Sequence, residues 1–242
     1  MQVAILVIGS LLWDDAQHRA EWRRTRLDVD FQIPVKVPIR YGRRSTTRGN
    51  TFTMVFAGNE ATGQARLIPC ISLVSDLKDL VDEAIALWKA ERKYARDGEV
   101  GSSWGCVGIL PRDQNFQFAN EWSQYFQEHS HAPIAPVDSK GRLNIPWPVR
   151  IGEPLPIDID ILISTSTQPE STLPTAIEIA DAWIEQNEGY ERYFFENVQC
   201  GIRTPDDLKI WRRIEERSPD WLNNPAYAEV ISLLREESTQ SG

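Results

Sequence analysis

Cysteine and histidine are scarce in this chain, with three of each among 242 residues. Cys70, Cys106 and Cys200 are odd in number and far apart, which excludes a disulfide framework and the paired spacing of a structural zinc site. His129 and His131 flank Ser130 in a polar stretch that offers no third ligand nearby, so they read as surface residues rather than a metal site. Positive charge is short as well. Against 35 Asp and Glu stand 26 Lys and Arg, a net charge of −9, and a surface of that sign repels the phosphate backbone of nucleic acids. No run approaches the ~20 apolar residues of a membrane-spanning helix. Residues 3–8 are apolar but short, end at Gly9 and lack a basic flank and cleavage site, so they read as a buried strand rather than a leader. Nucleotide fingerprints of the Gly-x-Gly-x-x-Gly and Walker kinds are missing, as is a Gly-x-Ser-x-Gly elbow. The expectation is a cytoplasmic protein with no membrane or nucleic-acid partner; whether it is a monomer or a homodimer stays open.

Aromatic residues, in contrast, are plentiful. Nine tryptophans spread along the whole chain argue against long disorder, and only residues 236–242 read as frayed. Strands are predicted over residues 3–8, 29–39, 51–57, 64–71, 106–110 and 157–163. Pro34 and Pro38 push the second of these toward an edge or a bend, and Gly58, Asn59 and Gly63 suggest a hairpin between the third and fourth. Helices are predicted over residues 76–96, with Ser75 as cap, over 116–129, and from Pro174 to about 187. A further helix starts at Thr204-Pro205-Asp206-Asp207 and carries Leu208, Trp211 and Ile214 as its stripe. The layout is α+β, rich in strands early and in helices late. The Pro-rich passage 132–156 divides an α+β core, residues 1–131, from a stretch of one strand and a helical extension, residues 132–242, which can pack on the same core.

Two features could carry chemistry. The first is Ile8-Gly9-Ser10-Leu11-Leu12-Trp13, directly after the first strand, where a glycine permits close approach and successive amides can cradle a carboxylate. An ordinary turn would look the same. The second is Glu91. Leu77, Val81, Ala84 and Trp88 form an apolar stripe, and three residues further it reaches Glu91, which places a carboxylate on the side that should face the core. Such a group suits a general base. A helix that ends early, or a pairing with Arg92 or Lys93, would account for it without chemistry. A small basic segment, Arg40, Arg43, Arg44 and Arg48, fits one anionic ligand or a solvated turn.

Together these features resemble the gamma-glutamylcyclotransferase-like proteins, especially the glutathione-acting branch. Those have a Tyr-Gly-Ser-Leu-Ile-Trp type motif after the first strand, matched here by residues 8–13. A segment with arginine and serine ending in Arg-Gly follows, matched by Arg43-Arg44-Ser45-Thr46-Thr47-Arg48-Gly49 and then the strand Thr53-Met54-Val55-Phe56. Next come Gly63-Gln64-Ala65-Arg66-Leu67 and a helix whose glutamate is followed by a tyrosine, matched by Glu91 and Tyr94. The order agrees over about residues 3–110. The usual tyrosine before the glycine is Ile8, and the glycine common after the glutamate is Arg92. Glu188, in Glu188-Gly189-Tyr190, looks locally closer to the family pattern but lies out of order, and Glu83 sits off the stripe. The resemblance implies a small, barrel-like mixed or antiparallel sheet with flanking helices, and cyclisation of a γ-glutamyl group of glutathione or a γ-glutamyl amine to 5-oxoproline. Glu91 would be the base. Ile8, Gly9, Ser10, Leu11 and Tyr94 would hold the substrate, with Trp13, Arg43, Ser45 and Arg48 as further candidates, and no cofactor or metal would be required. The alternative is a non-catalytic ligand-binding or regulatory protein on the same fold; an exposed surface of Trp183, Trp211 and Trp221 would favour it.

Overall fold

The first apolar run lies at the centre of the molecule because neighbours cover both of its faces. A computed structural model describes residues 1–240 apart from 47, 48, 50, 59–61, 132, 154, 156, 157, 187 and 188. Its strands are β1 (Gln2–Val7), β2 (Ile33–Val37), β3 (Ile39–Ser45), β4 (Thr51–Phe56), β5 (Gly63–Pro69), β6 (Gly101–Ser102), β7 (Gly105–Pro111), β8 (Val149–Arg150) and β9 (Ile159–Thr167). Its helices are α1 (Gln17–Arg26), α2 (Leu77–Glu91), α3 (Ala119–His129), α4 (Ala176–Ile184), α5 (Glu191–Gln199), α6 (Asp207–Arg217) and α7 (Ala228–Gln240).

Seven strands form one curled mixed sheet in the order β6-β7-β9-β1-β5-β2-β8, so the α+β class holds. Among the described neighbouring strands of this sheet, only the β1–β9 pair is parallel. Both of its members therefore end on the same edge of the sheet. β9 comes from the stretch after residue 132 and sits between β1 and β7, so the two stretches of chain share one sheet.

The hairpin expected between the third and fourth strands does not form. β4 pairs with β3 as a separate two-stranded sheet, and β5 pairs with β1 and β2. Every residue of β4 is buried and α4 packs on it, a degree of cover that an outer strand of the main sheet would lack. The long strand expected over residues 29–39 breaks at Pro38, which has no N–H to give a ladder and instead accepts from the Ala57 amide at 2.9 Å.

Trp183 and Trp211 are fully buried and Trp221 is partly covered, so these rings serve the core rather than a docking face. Trp183 also donates to the Phe52 carbonyl at 3.2 Å, tying α4 to β4. The tail read as frayed continues α7 to Gln240, because Arg203 grips Glu237 through two bonds of 3.2 and 2.7 Å. No helix among the described residues is long and apolar enough to cross a membrane.

Candidate functional site

The segment Gln17–Arg26 has only two apolar side chains, Ala20 and Trp22, and its stripe is too thin to announce a helix. It nevertheless folds as α1 and packs on α2. The residues that fasten it are arginines. Arg23 donates to the carbonyls of Leu11 and Asp14 at 2.7 and 2.9 Å, and Arg19 donates to Ser10 Oγ at 3.1 Å, Asp14 at 2.8 Å and the Ala90 carbonyl at 3.1 Å. Burying the Arg19 charge would cost several kcal/mol without such partners. One helix thus pins the loop after β1 to the end of α2.

The loop itself turns tightly. The Leu12 amide donates to the Gly9 carbonyl, and the Trp13 and Asp14 amides to that of Ser10. Gly9 does not have a left-handed backbone here; a Cβ on it would meet the Tyr193 hydroxyl at 3.4 Å, an ordinary contact. A side chain as small as that of alanine would fit there, so neither an unusual turn nor a close contact requires glycine at this position.

α2 starts one residue later than expected. Asp76 is the cap, accepting from the Asp79 amide, while Ser75 donates to the Asp79 carboxylate. The helix also stops at Glu91 rather than Arg96. Arg92 leaves the helical conformation and pairs with the buried Glu99, which also accepts from the Trp88 indole and the Arg96 amide. Burial alone would raise the Glu99 carboxyl; the Arg96 amide, the Trp88 indole and the Arg92 guanidinium hold it below the usual range. Because the chain turns away at this point, Tyr94 is 82% exposed and lies outside the site, contrary to expectation.

Glu91, at the end of the helix, has a side chain 20% exposed and faces a cavity of about 470 Å3. The same cavity is lined by Ile8, Gly9, Ser10 and Leu11, and by Arg43 and Ser45 from β3. Arg19 stands between the two groups, its Nη2 3.9 Å from Glu91 Oε1. Trp13 is not part of the lining: its indole donates to Asn197 at 2.8 Å and its ring meets the edge of Tyr193. Arg43 lies with its guanidinium 4.8 Å above the Trp104 ring. Arg48 and Glu188 lie outside the described residues.

Several lining residues gave no expectation from the sequence: Arg19, Trp104, Tyr193 and the hydroxyls of Thr53, Thr165 and Thr167. The last two had a signal. β9 ends in Ser164-Thr165-Ser166-Thr167, and a strand alternates its faces. Ser164 donates to the Leu6 carbonyl and Ser166 to that of Ala135, away from the cavity, while the two threonines line it. Thr167 Oγ1 is buried with no hydrogen-bond partner among the described residues.

Glu83 departs from the reading that placed it off the buried face. α1 covers that face, Glu83 is 4% exposed, and Arg26 holds it at 3.0 Å. Burial raises its carboxyl above the ordinary value of 4.5, and the folded state therefore binds that proton more tightly than the unfolded chain does. The stability linked to this group is present below the unfolded value and is lost as pH rises through the raised one. Urea midpoints measured against pH are expected to fall across that window in the native protein relative to Glu83→Gln; parallel curves would refute the assignment.

Thiol nucleophiles are disfavoured. Burial pushes Cys106 up to about 12 and Cys200 to about 11, and raises Cys70 well above its ordinary value. What the cavity offers is one carboxylate, guanidinium groups and a hydroxyl-lined wall, a set suited to binding a small molecule that carries both signs of charge and to moving a proton from it. No family model, curated protein or solved structure gives a significant match to the chain.

Proposed function

We propose that the chain is a γ-glutamylcyclotransferase-like enzyme that cyclises the γ-glutamyl group of a small peptide or amine to 5-oxoproline. The observation that carries this reading is that the Glu91 carboxylate and the turn after β1 line one cavity with Arg19 between them. The curled sheet with flanking helices is compatible with the fold that the residue resemblance implies.

In this reading Glu91 takes a proton from the α-ammonium of the substrate. The freed amine attacks the γ-carbonyl of the same molecule and closes a five-membered ring. The bond from that carbonyl to the departing nitrogen then breaks; the leaving nitrogen takes the proton held by Glu91, and the second proton of the attacking nitrogen passes through the same carboxylate to the released amine, which departs as an ammonium. Nucleophile and electrophile belong to one molecule, so holding them in a near-attack geometry supplies much of the acceleration, and neither metal nor organic cofactor enters the reaction. The hydroxyls of Thr165 and Thr167 add hydrogen-bonding groups to the cavity wall.

Incubating the purified protein with glutathione, γ-glutamyl amino acids and γ-glutamyl alkylamines, and measuring 5-oxoproline, tests the reading. Release from at least one class is expected. No release from any of them, at protein concentrations that leave binding detectable, would remove the catalytic assignment and leave a binding protein.

A further inference from the structure

Arg19 is a long cationic side chain with only 7% exposure, and its three bonded partners use Nε and Nη1 alone. Nη2 hydrogen-bonds to no described residue, although it faces the cavity region shared with Glu91. A guanidinium has five N–H donors in a rigid fork, and a buried one with donors left over is prepared for an anion that arrives with the ligand. Its partners fix where that anion would lie. Asp14 neutralises the Nη1 side, the Ala90 carbonyl locks Nε, and Ser10 Oγ sits beside the loop of residues 9–11.

From this geometry we infer that Arg19 and Glu91 together read an α-amino-acid head: Arg19 Nη2 binds the α-carboxylate, and Glu91 receives the α-ammonium. The inference rests on the reading proposed above and deepens it, because it assigns the carboxylate contact to a side chain of α1 rather than to the loop alone. The spacing supports it. An α-carboxylate and an α-ammonium are substituents of a single carbon, so the groups that receive them must lie a few ångströms apart and carry opposite charges. Arg19 Nη2 and Glu91 Oε1 are 3.9 Å apart, too far for a good mutual hydrogen bond and close enough for the two ends of one head group to reach both. The nearby charges include Asp14, bonded to Nη1, the Arg92–Glu99 pair beyond Glu91, and Arg43, which lines the same cavity. Arg19 Nη2 and the Glu91 carboxylate are the cationic and anionic groups that stand 3.9 Å apart there.

The test uses L-glutamate and 4-aminobutyrate, which keeps the amine and the distal carboxylate but lacks the α-carboxylate. Calorimetric titration of the intact protein is expected to show L-glutamate binding about 10–100-fold tighter, the worth of one charge-assisted, partly buried bond. Arg19→Met is expected to bring the two affinities within about threefold of each other, since the contact that separates them is gone. A purely structural role for Arg19 would weaken both ligands alike and keep their ratio. If near-UV circular dichroism shows that Arg19→Met does not fold, Arg19→Lys answers the same question: an ammonium has three donors, and keeping the contacts to Ala90, Ser10 and Asp14 would use all of them and leave none for the ligand, so the ratio should fall several-fold. An unchanged ratio in a folded variant overturns the inference, as does native protein that binds the two compounds equally or neither at all. Discrimination that depends on Arg19, in a protein that releases no 5-oxoproline, would support the inference while ending the proposed reaction.

Discussion

Glu91→Gln is expected to lower 5-oxoproline release by about 10²–10⁴-fold, the range typical for loss of a general base. The amide has nearly the shape of the carboxylate and cannot accept the proton. The loss should fall on kcat more than on KM, because the substrate still meets the loop of residues 9–11 and Arg19. Stability should change by no more than about 0.5 kcal/mol, since the side chain is 20% exposed and its one ion-pair contact is 3.9 Å away. Glu83→Gln is the matched control. It removes a more deeply buried carboxylate from the same helix, two turns earlier and engaged with Arg26, and it should leave turnover unchanged. The opposite pattern, with activity lost in Glu83→Gln and kept in Glu91→Gln, would place the chemistry elsewhere.

The contrast between these two glutamates shows what periodicity can and cannot reveal. The stripe from Leu77 to Trp88 runs on to Glu91, which is 20% exposed and lines the cavity, because α2 packs on the sheet with that side. It fails for Glu83 because a second helix covers another face of α2, and that helix is held by arginines rather than by an apolar stripe. Arg19 escapes for the same reason, since a charged residue reads as solvated until its partners are known. Nothing local marks Ser10, Asp14 and Ala90 as those partners. Strands were legible where side chains were uniformly apolar, as in β1 and β7, and their pairing was not, because Val55 and Leu67 carry no label of the strand they will meet. Tyr94 was expected in the site from the resemblance alone, and it lies outside because the helix stops at Glu91, where Arg92 turns away to pair with Glu99.

Arg203→Met is expected to destabilise the protein by about 3–5 kcal/mol, the usual cost of stranding a buried charge. Asp207 is 1% exposed at the start of α6 and depends on Arg203 Nε at 2.8 Å and on the Thr204 hydroxyl. The same guanidinium reaches Glu237 on α7, and the Arg203 backbone forms two bonds with Gln64 of β5, so one residue joins two helices to the main sheet. Methionine keeps the stem and the backbone bonds and deletes only the charge. Burial already pushes the Asp207 carboxyl above its ordinary value, and without Arg203 it should favour the neutral form still more. The deficit measured by urea denaturation should accordingly shrink as pH is lowered and the carboxyl is protonated in both folded and unfolded chains. Glu237→Gln, whose carboxylate is 34% exposed, should cost no more than about 1 kcal/mol. Equal costs for the two substitutions would mean that the anchor of α7, rather than the buried aspartate, is what Arg203 serves.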